Sequence, residues 1–340
     1  MGRYEFIRKF KKENIMVDKS WYIYTGDKEN KGIDINILNE IAPAPSWRKN
    51  KHNINSIVYL PSEEEKAVVN ASIYLRRPLL ITGKPGVGKS SLAYSIADEL
   101  GLELYHWAIN SKSTLEDGLY SYDAISRLQD AQLKKIQDIK DEDDITKYLR
   151  LAPLGKAFAS NRKCVLLIDE LDKSDIDLPN DLLHILEEKK FEIDVLKRYN
   201  QESVNLGTDD EPIFLEKGEK EINIDNFPII IMTSNGERDF SGAFMRRCLH
   251  HKMNLPSEKR LIDIVIQHLQ STGDDEIAII EEIVKEFINK RDGFGEDRQD
   301  YELATDQLLN AIYLRLNDKV NLNLNESNIL KDVIWRSLEH

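Results

Sequence analysis

Residues 83–90 read "GKPGVGKS", with the apolar run "LLIT" (Leu79–Thr82) before them and the amphipathic stretch "SSLAYSIADEL" (Ser90–Leu100) after. No other stretch of the chain restricts its fold as tightly. Gly83, Gly88, Lys89 and Ser90 fit G-x-x-x-x-G-K-[ST], a loop whose backbone N–H groups must approach phosphate oxygens closely. Only glycine leaves that room. The segment Gly83, Lys84, Pro85, Gly86, Val87, Gly88, Lys89, Ser90 and Ser91 is therefore the expected nucleotide cradle. A helix beginning at Lys89 aims its positive end at the anion. Lys89 supplies a compact cation for the β- and γ-phosphates, and Ser90 offers its hydroxyl to Mg²⁺. A strand before the loop and a helix after it are what this motif requires, and the patterning predicts both.

The rest of the chain supports a parallel α/β sheet. Stretches of strand length recur at Leu102–Ile109, Cys164–Asp169, Pro228–Met232 and Cys248–Leu255, and Cys164–Ile168 and Pro228–Met232 are unbroken apolar runs like Leu79–Ile81. Such runs suit strands buried on both faces. Helical patterns lie between them at Asp123–Gln137 and Leu178–Lys190, and alternation of the two predicts βαβ units. Ser62 with Glu65 forms a capping box at the head of a helix over Ser62–Arg76. Strand-like pieces over 191–226, broken by Gly207 and Gly218, predict a hairpin. From Ser257 onward the pattern turns helical, with about four helices. Four parts are expected: an N-terminal extension over 1–55, a large domain over 56–256, a small helical domain over 257–337, and a tag-like remnant at 338–340.

Two further stretches carry chemistry. "CVLLIDE" (Cys164–Glu170) is a buried strand ending in two carboxylates, which places Asp169 at the carboxyl edge where α/β sheets bind ligands. Asp169 is the expected Mg²⁺ partner beside Ser90, and Glu170 the residue that polarises an attacking water. Paired carboxylates at a strand end also suit a solvated turn. The strand "PIIIM" runs into "TSN", and Asn235 at its tip is placed to reach a γ-phosphate or a water. Asn before glycine is equally a common turn residue. The same stretch continues to a paired Arg246–Arg247, for which local sequence offers no reason.

Composition narrows the partners. Net charge is −13 over 340 residues, and the one concentrated basic run is Arg8–Lys12. Nucleic acid is a poor fit, because phosphate contacts need a basic patch. The acidic stretch Asp141–Asp144 reads as a solvated face. Cys164 and Cys248 lack metal-ligand spacing and fit a reducing, cytoplasmic compartment. No apolar window is long enough for a membrane span.

The loop, "LLIDE", "TSN" and "RR" follow one another in an order that resembles the AAA+ ATPases, and within them the MoxR-like branch. The resemblance rests on four blocks: Tyr74–Leu100, Leu166–Glu188, Thr233–Cys248 and Leu303–Leu314. It covers about residues 56–317. It implies an AAA+ αβα domain around a parallel sheet of about five strands, followed by a smaller helical lid. It implies ATP and Mg²⁺ as cofactors, with Lys89 and Ser90 as Walker A, Asp169 and Glu170 as Walker B, and Asn235 as sensor 1. Arg247 falls where the branch has its arginine finger, with Arg246 as the second candidate. A finger serves the neighbouring subunit, so the resemblance implies a hexameric ring. It also implies a client protein to be remodelled or activated, often one with a von Willebrand factor A domain. A nucleotide switch with little turnover and a nucleic-acid-translocating motor are the alternatives. One departure stands out: "YELATDQLLNAIY" holds no arginine where the third lid helix often carries sensor 2, and Arg298 lies upstream.

Overall fold

The computed structural model describes residues 59–136, 144–198, 203–206, 213–216, 221–224, 226–270, 273–292, 303–317 and 334–335. The N-terminal extension with Arg8–Lys12, the acidic residues 141–143, Gly207, Gly218, Arg298 and the terminal residues 338–340 lie outside them. The described residues fall in two compact units, one within Ile57–Leu255 and one from Pro256 onward.

In the first unit, α1 (Glu63–Leu75) opens on the expected capping box: Glu65 N donates to Ser62 Oγ at 3.2 Å and Ser62 N to Glu65 Oε2 at 2.8 Å. Then come β1 (Leu79–Thr82) and α2 (Lys89–Leu100), which Gly101 closes at φ 62°. β2 (Glu103–Ala108), α3 (Leu115–Leu119), β3 (Tyr120–Tyr122), α4 (Ala124–Ile136), β4 (Leu149–Leu151) and α5 (Pro153–Ala159) follow. β5 (Cys164–Asp169) leads into α6 (Leu178–Glu188) and the short strands β6 (Lys190–Glu192), β7 (Ser203–Asn205), β8 (Phe214–Glu216) and β9 (Glu221–Asn223). β10 (Ile229–Ser234), α7 (Gly242–Arg247) and β11 (Leu249–Lys252) complete the unit.

The expected five-stranded sheet is present, all parallel, in the order β11-β1-β10-β5-β2. Side chains alternate faces along a strand, so each strand feeds two cores. Leu80, Leu166, Ile168, Ile230 and Met232 join the helices α5 and α6 in one cluster. Leu79, Ile81, Val165, Leu167 and Ile231 join α2 in the other. The result is a three-layer αβα unit. That two-sided burial is why the three inner strands β1, β10 and β5 read as apolar runs, while the edge strands β2 and β11 carry polar residues.

Between the strands the chain differs from expectation. Residues 191–226 form two antiparallel ladders rather than one hairpin: β6 pairs with β9, and β7 with β8. β3 and β4 form a further antiparallel pair that flanks α4 in sequence. Strands of three residues are too short to show a period of two in the sequence. α4 has no buried residue, and its Ile125, Leu128, Leu133 and Ile136 are exposed.

In the second unit the described residues form α8 (Glu258–Leu269), α9 (Asp274–Asp292) and α10 (Thr305–Leu316), three helices where the sequence suggests about four. Leu261, Val265, Ile283, Val284, Phe287, Leu308 and Ile312 build its own core. Trp335 packs edge-on against Phe287 with ring centroids 5.6 Å apart.

Two glycines set how closely the layers of the first unit approach. A Cβ at Gly155 in α5 would lie 1.9 Å from the Leu119 carbonyl oxygen, and one at Gly118 2.7 Å from the Trp107 ring. Gly242 has open space around it. Gly155→Ala is expected to destabilise the protein by at least about 1–3 kcal/mol in denaturant unfolding, while Gly242→Ala stays within about 0.5 kcal/mol of wild type. Equal stability of the two variants would show that α5 is not held against the Leu119 backbone.

Candidate nucleotide site

The loop between β1 and α2 turns on Gly86 (φ 76°) and Gly88 (φ 100°), in the left-handed region that glycine enters without strain. Gly83 is needed for a different reason, since a Cβ there would come within 2.6 Å of the Met253 carbonyl oxygen. Lys84, Pro85 and Gly86 are exposed at the crown of the loop, and Val87 packs into the core on the α2 side. Ser91 follows Ser90 in the first turn of α2 and is half-buried.

Lys89 is only 7% exposed, and its ammonium is satisfied by three oxygens. Nζ donates to the Gly83 carbonyl at 2.7 Å, the Lys84 carbonyl at 2.9 Å and Asn235 Oδ1 at 2.8 Å. Asn235 thus reaches the loop lysine from just beyond the tip of β10, the central strand of the sheet. Its own backbone is fixed by Asp172, whose Oδ2 accepts from Asn235 N at 2.9 Å and Glu237 N at 3.1 Å. Asp172 was not legible as a site residue. Its signal is weak: one more carboxylate, three residues after Asp169, on a short 3-10 turn.

Asp169 is the junction of the site. Its Oδ1 accepts from Ser90 Oγ at 2.7 Å and from Thr233 Oγ1 at 2.5 Å. Its Oδ2 faces His106 Nε2 at 3.4 Å. Burial opposes the charge, but the close approach of His106 and the hydrogen bonds from Thr233 and Ser90 outweigh it and hold the carboxyl at about 2. Thr233 also accepts from Glu170 N at 2.9 Å. Glu170 takes up φ 61°, a left-handed conformation that is strained for a residue with a Cβ. Its side chain turns to Lys173 at 2.9 Å, where both groups are about two-fifths exposed.

Arg246 and Arg247 end α7, in the last turn of the helix. Arg247 Nε pairs with Glu187 of α6, and Arg246 is exposed. Arg77, just before β1, donates to the carbonyls of Arg246, Arg247 (3.2 Å) and Cys248 (3.2 Å). It satisfies three acceptors at the helix end that have no partner within the helix. Sequence alone did not single out Arg77. Both cysteines are free and buried, and burial pushes the Cys248 thiol up to about 12, so it is an inert core group.

The residues fit a phosphate chain with a hard divalent cation. The loop's glycines leave its backbone open to close approach, one ammonium lies across its base, and a hydroxyl and a carboxylate meet at its edge. Among the described residues no group of three or more His, Cys, Asp and Glu gathers to hold a metal by itself. That suits a cation bound through one carboxylate and phosphate oxygens.

A three-layer αβα unit with a G-x-x-x-x-G-K-S loop and an acidic strand end beside it defines a P-loop nucleotide-binding protein. The family model for the AAA domain (dynein-related subfamily) matches residues 78–248, half of the chain. The chain belongs to this family and so to the AAA+ type of ATPase. Two solved structures are similar to it at 16% identity. One is a point mutant of RuvB from Thermotoga maritima, with a TM-score of 0.35, covering 79% of this chain and 74% of that one. The other is PCH-2 from C. elegans, with a TM-score of 0.41, covering 83% of this chain and 70% of that one. No curated protein matches the chain. Among the described residues no helix is long and apolar enough to cross a membrane.

A lowered Asp169 has a definite consequence for stability. Its charge is favoured in the folded state, so the stabilisation is present above the ordinary value of 3.8 and is lost as pH falls towards 2. The size is about 2 kcal/mol for a largely buried group. Asp169→Asn removes this titration. Between pH 5 and pH 2.5, unfolding free energy should therefore fall more steeply for wild type than for Asp169→Asn. Parallel curves would show that Asp169 is not held ionised by its neighbours.

Proposed function

We propose that the chain is a Mg²⁺-dependent ATPase of the MoxR-like branch that works as a closed ring of six subunits and couples hydrolysis to remodelling or activating a partner protein in the cytoplasm. The observation that carries this reading is a pair of hydrogen-bonded groups at the carboxyl ends of the strands, Lys89 with Asn235 and Asp169 with Ser90 and Thr233. Within each group the first turn of α2 is tied to the end of a strand by bonds of 2.7–2.8 Å. In this reading residues 56–256 are the large ATP-binding domain and 257–337 the lid.

The roles follow from chemistry. Lys89 neutralises the β- and γ-phosphates. Ser90 and Asp169 hold Mg²⁺, which supplies charge neutralisation on the phosphates when bound. Glu170 polarises the attacking water, for which it must leave Lys173; that ion pair is exposed and worth little. Asn235 passes from Lys89 to the γ-phosphate or the water.

The paired arginines are the finger that one subunit offers to the next. A guanidinium stabilises charge on the transferring phosphoryl group from outside the pocket. Arg247 is the first choice by its place in the branch's pattern. Arg246 is the more open of the two, since Glu187 engages Arg247. A client with a von Willebrand factor A domain is the partner class the branch favours. A second reading, a nucleotide switch with little turnover, is favoured by one observation: the Glu170 carboxylate is engaged by Lys173.

ATP turnover against protein concentration tests both readings. Specific activity should rise with concentration, and the finger variant among Arg247→Ala and Arg246→Ala should lose about 10³-fold in kcat with ATP binding intact. Glu170→Gln with ATP should form an assembly larger than a monomer by light scattering. Flat specific activity that is indifferent to both arginines would sink the shared site. A monomeric Glu170→Gln protein would sink the ring.

A further inference from the structure

Four residues around the proposed cation site close a loop that the family roles leave half-explained. Ser90 and Tyr94 lie one turn apart on α2 and so share a face. His106 on β2 and Asp169 on β5 sit on adjacent parallel strands, where His106 aligns with Leu167 and Ala108 with Asp169. Alternation puts Leu167 and Asp169 on the same face of β5, the face covered by α2. Tyr94 Oη lies 3.1 Å from His106 Nδ1, with the two rings edge to face at 82°. His106 Nε2 is fully buried, has no regular hydrogen bond, and faces Asp169 Oδ2 at 3.4 Å.

The order of donors and acceptors follows. A carboxylate is an acceptor only, so the ring nitrogen facing it carries the proton. In the neutral ring Nδ1 is then an acceptor, and the Tyr94 hydroxyl donates to it. Asp169 is thereby held on both oxygens: Oδ1 by Ser90 and Thr233, Oδ2 by His106. Removing His106 leaves Oδ2 free to swing, and a carboxylate that swings is poorly prepared for a cation.

We propose that His106, its ring set by Tyr94, is a positioning residue that fixes the Asp169 carboxylate and so sets the affinity of the nucleotide site for its divalent cation. This rests on the ATPase reading above, and it adds a strand, β2, that the G-x-x-x-x-G-K-S and "LLIDE" motifs do not include. His106 does not touch nucleotide in this scheme. It acts through Asp169 in the way that outer partners orient metal ligands, where their loss costs about 10–100-fold in metal affinity.

The test uses the full-length chain and two readouts other than turnover. Binding of a fluorescent ADP analogue is titrated with Mg²⁺, and Mn²⁺ binding in the presence of ADP is followed by electron paramagnetic resonance. His106→Leu should raise the cation midpoint by about tenfold while leaving ADP binding without cation unchanged. His106→Gln, which keeps a donor, should recover part of the loss. Tyr94→Phe should shift the midpoint by a few-fold. A midpoint within twofold of wild type in His106→Leu overturns the proposal. So does an equal loss of ADP binding with and without cation, which marks a merely structural role. If His106→Leu does not fold, Tyr94→Phe and His106→Gln decide: unshifted midpoints in both overturn it. A wild-type protein whose ADP binding ignores Mg²⁺ instead overturns the ATPase reading beneath it.

Discussion

Asp169 accepts hydrogen bonds from a helix and a strand that lie far apart in the sequence, and the rest of the site is arranged around that junction. Ser90 reaches it from the first turn of α2, Thr233 from the tip of β10, and His106 from β2. A carboxylate in such a place is costly to bury unless its lone pairs are matched. Here they are matched by hydroxyls and a ring nitrogen rather than by a lysine. Lys89 is kept apart, on two loop carbonyls and Asn235.

The sheet makes this possible. The order β11-β1-β10-β5-β2 sets β10 between the strand that leads into the loop and the strand that ends in Asp169. All five strands run parallel, so their carboxyl ends share one edge, and the polar residues Thr233, Asn235, Asp169 and Glu170 collect there. Behind that edge β1, β5 and β10 are apolar, and they feed the two cores on either face of the sheet. Glu170 shows the local tension in the design. Its left-handed backbone is unfavourable for a glutamate, and it is tied in place by Thr233 through its N–H. Strain of this kind persists only where neighbours over-determine the conformation.

The arginine pair illustrates a different use of the same scaffold. α7 is one and a half turns long, too short to stand by itself. Ser241 caps its start, Phe244 anchors it in the core, and Arg77 binds the carbonyls at its end. Two cations are thus displayed at the end of a helix whose backbone is held from both sides. Their guanidinium groups stay outward, apart from the contact of Arg247 with Glu187.

Much of the site was written in the sequence because it depends on local rules. The cradle glycines, Lys89, Ser90, the apolar strand ending in Asp169 and the "TSN" tip are each visible within a dozen residues. The inner strands β1, β5 and β10 were legible because burial on both faces demands continuous apolar runs. What tertiary structure alone decided is everything that requires two distant segments to meet. Thr233, Asp172, Arg77, Tyr94 and His106 carry no motif of their own; they matter because strand order places them within hydrogen-bond reach of a site residue. The small ladders β3–β4 and β6–β9 were hidden for a related reason, since three-residue strands are set by their partners rather than by a period of their own. Local chemistry can be read from one stretch of chain, whereas the partner of a hydrogen bond across a sheet is chosen by register and topology, which no single stretch contains.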